Sequence, residues 1–174
     1  LAGSLTISSE SPWRDELKES LLNTCSTPLA DPDAIALETA SQDIEERLPK
    51  LNDACLKLKR KLEQHPEVKR VLHPEDCSNF RKIMRPNSGY GCLLSFELIG
   101  GLKKAKKFYD SLKVCKGPSL GTNFTLVCPY VLLAHYNELG WAKKCGVPSH
   151  LLRVSVGLED PQYLWEEFNK ALNE

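Results

Sequence analysis

One arginine set in an apolar strand is the residue of this chain best suited to binding chemistry. The segment 151–160, LLRVSVGLED, alternates, so that Arg153 lies on the strand face opposite Leu152, Val154 and Val156. A guanidinium on a rigid element can grip a carboxylate through two parallel hydrogen bonds, a geometry that lysine cannot match. From the pattern alone, the commoner outcome for such an arginine is a solvated side chain on a polar face.

Size and charge exclude several classes of partner. The chain has 174 residues, enough for a free-standing core in one domain or a domain with an arm. Its 23 Lys and Arg residues balance 23 Asp and Glu residues, so no net field favours nucleic acid or an anionic membrane. The longest apolar run, 124–134, is about half the ~20 residues of a membrane-spanning helix. We therefore expect no nucleic-acid partner and no membrane association.

The cysteines indicate a reducing compartment. There are seven of them, an odd number, and none forms a CxxC pair. This argues against a disulfide framework and against a structural zinc site. The first residues also lack the positively charged start of a secretory signal. We expect a cytoplasmic protein with no metal site.

Helical periodicity dominates the first third of the chain. Residues 1–30 are predicted to be an N-terminal arm with a short helix near 14–22, and residues 31–174 to be a C-terminal domain. Asp31 and Pro32 predict a helix start, in which the Asp31 side chain caps free backbone amides and proline occupies the first helical position. Apolar residues then recur every three or four positions as far as about His65, with a kink or restart expected at Pro49.

Strands and helices alternate in the remainder. Strands are predicted at 68–73 and 91–99, joined by a long connection without a period, and helices at 102–112 and from Pro161 onward. A further helix is predicted to start at Pro129. The order of elements predicts an α+β fold, with an antiparallel or mixed four-stranded sheet and its helices packed on one face.

Four ordered blocks carry a family resemblance. They are HPEVKRV at 65–71, GYGCLLSFEL at 89–98, KGPSLGTNFTLVCPYVLLAH at 116–135 and LLRVSVGLED at 151–160. In this order they resemble the C-terminal small domain of the cystathionine γ-synthase and lyase family, the fold-type I pyridoxal-phosphate (PLP) enzymes of cysteine and methionine metabolism. The sequence of the third block is most similar to those of the fungal branch of the family.

The resemblance implies roles for three residues. Arg153 would bind the α-carboxylate of the amino-acid substrate. Ser119 and Leu120 would lie beside the Schiff-base lysine and this carboxylate. Without the flanking blocks, the commoner outcome for Ser119 is a turn residue whose hydroxyl bonds its own backbone. The resemblance implies no catalytic residue, no cofactor-binding residue and no metal ligand in this chain.

The expected cofactor is PLP in the full-length enzyme, with none bound to this chain alone. No glycine-rich phosphate loop is present, and the opening LAGSL resembles the family segment that follows the catalytic lysine. We therefore expect a fragment that lies downstream of the cofactor domain and is inactive by itself. Its expected partners are the amino-acid substrate and the missing N-terminal PLP domain, in a homo-oligomer when full length.

The implied function is that of the substrate-binding domain of a cystathionine γ-synthase-like transferase, which joins an activated homoserine ester to cysteine. Pro118 and Thr122 differ from the residues that are common in the family loop. Which reaction the enzyme catalyses therefore stays open. One alternative is a fragment of a cystathionine lyase. Another is a non-catalytic binding or assembly module.

Overall fold

The computed structural model describes residues 5–25 and 29–174. It divides into two compact units, Leu1–Glu45 and Glu46–Glu174. Residues 1–4 and 26–28 of the predicted arm lie outside the described residues, and the predicted domain boundary after residue 30 stays a prediction.

The first unit contains two short helices, α1 (Arg14–Thr24) and α2 (Asp31–Ser41). α2 begins close to the predicted place, and Pro32 occupies its first turn, where the missing N–H costs no hydrogen bond. The predicted capping by Asp31 is wrong: the N-cap residue is Ala30, no side chain caps this end, and Asp31 is already the first residue of the helix. Neither helix buries a residue. The helices of this unit therefore make no contribution to a buried apolar core.

The longest helix is α3 (Ile44–Glu63), and it contains Pro49. The chain interrupts its helical course before this proline, at residues 42 and 43, rather than at Pro49 itself. The apolar stripe predicted from its spacing is buried only in its second part, since Ile44 and Leu48 are 43% and 48% exposed. The buried members of the stripe are Leu51, Cys55, Leu58 and Leu62.

One mixed sheet lies in the second unit. Its strands are β1 (Val68–Leu72), β2 (Leu93–Leu98), β3 (Cys115–Lys116), β4 (Leu126–Pro129) and β5 (Leu152–Ser155). Their order is β1-β2-β5-β4-β3, and every pairing is antiparallel except that of β3 with β4. The α+β class is confirmed. The sheet has five strands rather than the predicted four, because a two-residue strand is too short to show alternation.

Three helices pack on one face of this sheet: α3, α5 (Gly101–Ser111) and α8 (Pro161–Leu172). Phe96 of β2, Phe108 of α5 and Phe168 of α8 meet there, with ring centroids 5.5 to 6.4 Å apart. All three rings are fully buried, so aromatic contacts join sheet and helices at the centre of the core. Asp160 caps α8 by accepting hydrogen bonds from two backbone amides.

Shorter helices fill two connections. A 3-10 turn (Pro74–Asp76) and α4 (Ser78–Ile83) occupy the link between β1 and β2, where no period was visible. After β4, the single helix predicted from Pro129 is divided into α6 (Tyr130–Ala134), a 3-10 turn and α7 (Leu139–Lys144). Within the described residues, no helix is both long enough and apolar enough to pass through a membrane.

Candidate functional site

Arg153 lies in β5, with strands on both sides of it. It pairs with Ser95 of β2 and Cys128 of β4. Leu152 and Val154, on either side of it, are 1% and 0% exposed in the core, whereas Arg153 is partly exposed. The predicted alternation is therefore present, and the guanidinium leaves the sheet on the face away from the apolar core.

Uncharged groups surround the Arg153 guanidinium. Nη2 donates a hydrogen bond to the Pro118 carbonyl at 2.5 Å, and Cζ lies 5.4 Å from the centre of the Tyr130 ring. Burial raises the pKa of the Cys128 thiol, and the nearby Arg153 offsets only part of that rise, so the thiol is neutral. Within residues 5–25 and 29–174, Arg153 forms no ion pair with a carboxylate.

The Ser119-Leu120 loop is attached to β5 at two points. On one side, Arg153 binds the carbonyl of Pro118, the residue before Ser119. On the other side, the backbone N–H of Gly121 donates to Ser155 Oγ at 3.0 Å. Arg153 and Ser155 share a strand face, so the structure brings the predicted loop and the predicted arginine together. Both loop side chains are exposed to solvent, and their contact with substrate stays a prediction.

A set of hydrogen bonds that joins Thr125 to Gly157 and Glu159, called here the clamp, was not predicted from the sequence. The fully buried Thr125 donates twice to Glu159, from its backbone N–H to Oε1 at 2.5 Å and from Oγ1 to Oε2 at 2.8 Å. Thr125 Oγ1 also accepts from the Gly157 N–H at 3.0 Å. The clamp ties the chain after the loop to the end of the arginine strand. Glu159 was visible in the LLRVSVGLED block, but nothing in its spacing pointed to Thr125.

Tyr130 was also missed, although it belongs to the third block. It is the first residue of α6, and its hydroxyl lies 3.2 Å from Nε2 of His135. Its ring lies against Arg153, a contact that required the folded positions of β4 and β5. Its position beside the helix start predicted at Pro129 gave no indication of this contact.

The residues around Arg153 fit a carboxylate and do not fit PLP. The cofactor needs a lysine amine, but Lys116, near the loop in sequence, bonds the Asp110 carbonyl at 3.2 Å. Its Nζ also lies 4.9 Å from the centre of the Tyr109 ring. In the part of the chain that the structure describes, no group of three His, Cys, Asp or Glu residues could hold a metal ion.

Comparison with known families decides the class of the chain. A family model described as Cys/Met metabolism PLP-dependent enzyme matches residues 1–173. The chain belongs to this family. The resemblance carried by the four sequence blocks is thereby confirmed, and so is PLP as the cofactor of the full-length enzyme.

Similar proteins include fungal members of the family. The chain is 44% identical over 143 residues to the cystathionine gamma-synthase of Neurospora crassa, covering 80% of this chain and 23% of that protein. It is 43% identical over 151 residues to the cystathionine gamma-synthase of Saccharomyces cerevisiae, again covering 80% and 23%. The chain thus spans about a quarter of the length of these relatives.

A solved structure shares the fold. The O-acetylhomoserine (thiol)-lyase of Campylobacter jejuni, described as putative and solved with N'-pyridoxyl-lysine-5'-monophosphate, superposes with a TM-score of 0.78 at 23% identity. The match covers 95% of this chain and 40% of that one. The α+β arrangement is therefore also found as part of a longer chain.

Proposed function

We propose that this chain is the C-terminal, substrate-binding domain of a PLP-dependent cystathionine γ-synthase-like transferase. In this proposal Arg153 binds the α-carboxylate of an activated homoserine ester, which the whole enzyme joins to cysteine. Ser119 and Leu120 line the same position. The family and the identity to fungal synthases support the class of enzyme.

The observation that carries the proposal is the set of partners around Arg153. A carbonyl, a thiol and an aromatic ring hold the guanidinium in place without neutralising it. Only one of its five N–H donors is used by the Pro118 carbonyl. The remaining donors and the uncompensated charge suit a carboxylate brought by a ligand.

A fixed carboxylate clamp also explains how a domain without the cofactor contributes to the reaction. Two parallel hydrogen bonds restrict the rotation of the bound amino acid, so its reacting bonds keep one orientation. PLP supplies the electron sink when it is bound to the enzyme. The residues of this chain hold and orient the substrate.

The remaining parts of the proposal concern the whole protein. The segment missing from this chain would supply the Schiff-base lysine and the cofactor site, so the isolated chain would be inactive. We also propose that the full-length enzyme is a homo-oligomer. The cytoplasmic location indicated by the cysteines stays a prediction.

Replacing Arg153 in the full-length protein tests the proposal. Arg153→Ala should lower kcat/KM for the amino-acid substrate, because the carboxylate loses a desolvated partner. The decrease should correspond to a loss of about 2 to 5 kcal/mol of binding free energy. Arg81→Ala is a matched control, since Arg81 is an exposed arginine of α4. Wild-type kcat/KM in the Arg153 variant would exclude the carboxylate role.

Two further measurements separate the alternatives. Product analysis distinguishes synthase from lyase, since only the synthase makes cystathionine from an O-acyl-homoserine and cysteine. Mixing this chain with a separately made cofactor domain tests the binding or assembly module. Recovery of activity supports the enzyme domain, and a mixture that stays inert supports the module.

A further inference from the structure

Four side chains form a continuous series that ends at Arg153. The Arg153 guanidinium lies over the Tyr130 ring at 5.4 Å, within the range of a cation–π contact. Tyr130 Oη lies 3.2 Å from His135 Nε2, and His135 Nδ1 lies 2.9 Å from Glu138 Oε1. The series runs from the exposed Glu138 to the partly exposed Arg153.

Chemistry gives the hydrogen bonds of this series a direction. A carboxylate only accepts, so the Nδ1–H of His135 donates to Glu138. In a neutral imidazole this leaves Nε2 as the acceptor for the Tyr130 hydroxyl. Glu138 therefore fixes the tautomer of His135, and His135 fixes the orientation of the Tyr130 hydroxyl.

The backbone holds the same residues in place. The Tyr130 N–H donates to the Leu151 carbonyl at 3.2 Å, which attaches the start of α6 to the residue before β5. The Glu138 N–H donates to the His135 carbonyl at 3.0 Å in the following 3-10 turn. Tyr130 is thus restrained at its backbone by the Leu151 carbonyl and at its hydroxyl by the His135 imidazole.

We propose that Tyr130, His135 and Glu138 are positioning residues for the substrate carboxylate, acting through Arg153. This inference rests on the proposed role of Arg153 in binding that carboxylate. An arginine side chain has several rotatable bonds, and ordering it during binding would cost affinity. The Tyr130 ring on one side and the Pro118 carbonyl at the guanidinium restrict this motion before the substrate arrives.

Kinetics of the full-length holoenzyme test the proposal. Tyr130→Leu removes the ring and should raise KM for the amino-acid substrate by about twofold to thirtyfold, with kcat changed much less. Tyr130→Phe keeps the ring but loses the bond to His135, so we expect a KM increase of about twofold to fivefold. The same increase is expected for His135→Ala, and combining it with Tyr130→Phe should add nothing, because both changes break one series.

A second readout avoids turnover. Butyrate carries a carboxylate without an amino group, and as a competitive inhibitor it reports on the carboxylate position alone. Its Ki should rise in the same order as KM across the variants. Tyr136→Leu is the matched control, since Tyr136 belongs to the same segment but is 69% exposed, and both constants should stay at their wild-type values.

The reference variant Arg153→Lys separates this inference from the function it rests on. If Arg153→Lys raises KM and Ki while Tyr130→Leu and Tyr130→Phe leave both unchanged, the positioning role is wrong and the carboxylate role stands. If all three variants keep wild-type constants, the carboxylate role itself is wrong. Loss of kcat with unchanged KM and Ki would also contradict positioning.

Discussion

Gly157, which follows β5, lies too close to the Phe124 backbone to accept even one added methyl group. A Cβ added there would lie 2.4 Å from the carbonyl carbon of Phe124 and 2.5 Å from its Cα. These are backbone atoms, which cannot rotate away as a side chain can. The cost of Gly157→Ala is steric rather than conformational, because the backbone of Gly157 does not lie in the left-handed region.

The size of the effect follows from the movement required. Ordinary contacts of a Cβ begin at 3.4 Å, so the two segments must separate by about 1 Å. That movement strains two hydrogen bonds, Gly157 N–H to Thr125 Oγ1 at 3.0 Å and Leu158 N–H to the Asn123 carbonyl at 2.9 Å. Overpacking costs about 1 to 3 kcal/mol, and each weakened hydrogen bond adds up to about 1 kcal/mol. We expect about 3 kcal/mol of destabilisation.

Urea and thermal unfolding followed by circular dichroism measure this effect. For a chain of this size, about 3 kcal/mol corresponds to a Tm lowered by about 6 to 12 °C. Gly140→Ala is the control: Gly140 lies inside α7, nothing lies within 4 Å of an added Cβ, and alanine should stabilise by about 0.5 to 1 kcal/mol. If Gly157→Ala unfolded within about 0.5 kcal/mol of the wild type, the packing inferred between Gly157 and Phe124 would be wrong.

Two further predictions concern ionisation. Burial raises the pKa of the Glu97 carboxyl, but hydrogen bonds from Lys69 and His150 outweigh it and hold that pKa below its ordinary value. The wild type should therefore be more stable than Glu97→Gln at about pH 5, and this advantage should shrink as pH falls through about 4. Urea unfolding across that range measures the difference, and a difference that does not change with pH there would contradict the pairing. Burial, then the Cys92 thiol, raise the pKa of Cys55 to about 12, so a thiol reagent at neutral pH should label the four exposed cysteines and leave Cys55 until the chain unfolds. Labelling of native Cys55 at the rate of the exposed thiols would show that this part of the core opens.

Short-range sequence patterns were sufficient to predict most of the helices and strands. Alternation placed Arg153 opposite Leu152 and Val154, because successive strand residues must point to opposite faces. Residue types at a helix start placed the beginnings of α2 and α8. The two-residue β3 and the break of the predicted helix after Ala134 were not predicted, since neither is long enough to repeat a period.

The sequence by itself determined the α+β class, the strand that carries Arg153, and, through four ordered blocks, the family. These depend on periodicity and on short sequence motifs, which are properties of residues that are near each other in the chain. Only the tertiary structure decided what surrounds the guanidinium. The Pro118 carbonyl and the Tyr130 ring are separated from Arg153 by 35 and 23 positions, and they reach it because β4 and β5 pair side by side. A backbone carbonyl carries no residue type to read, so no pattern could have revealed that partner.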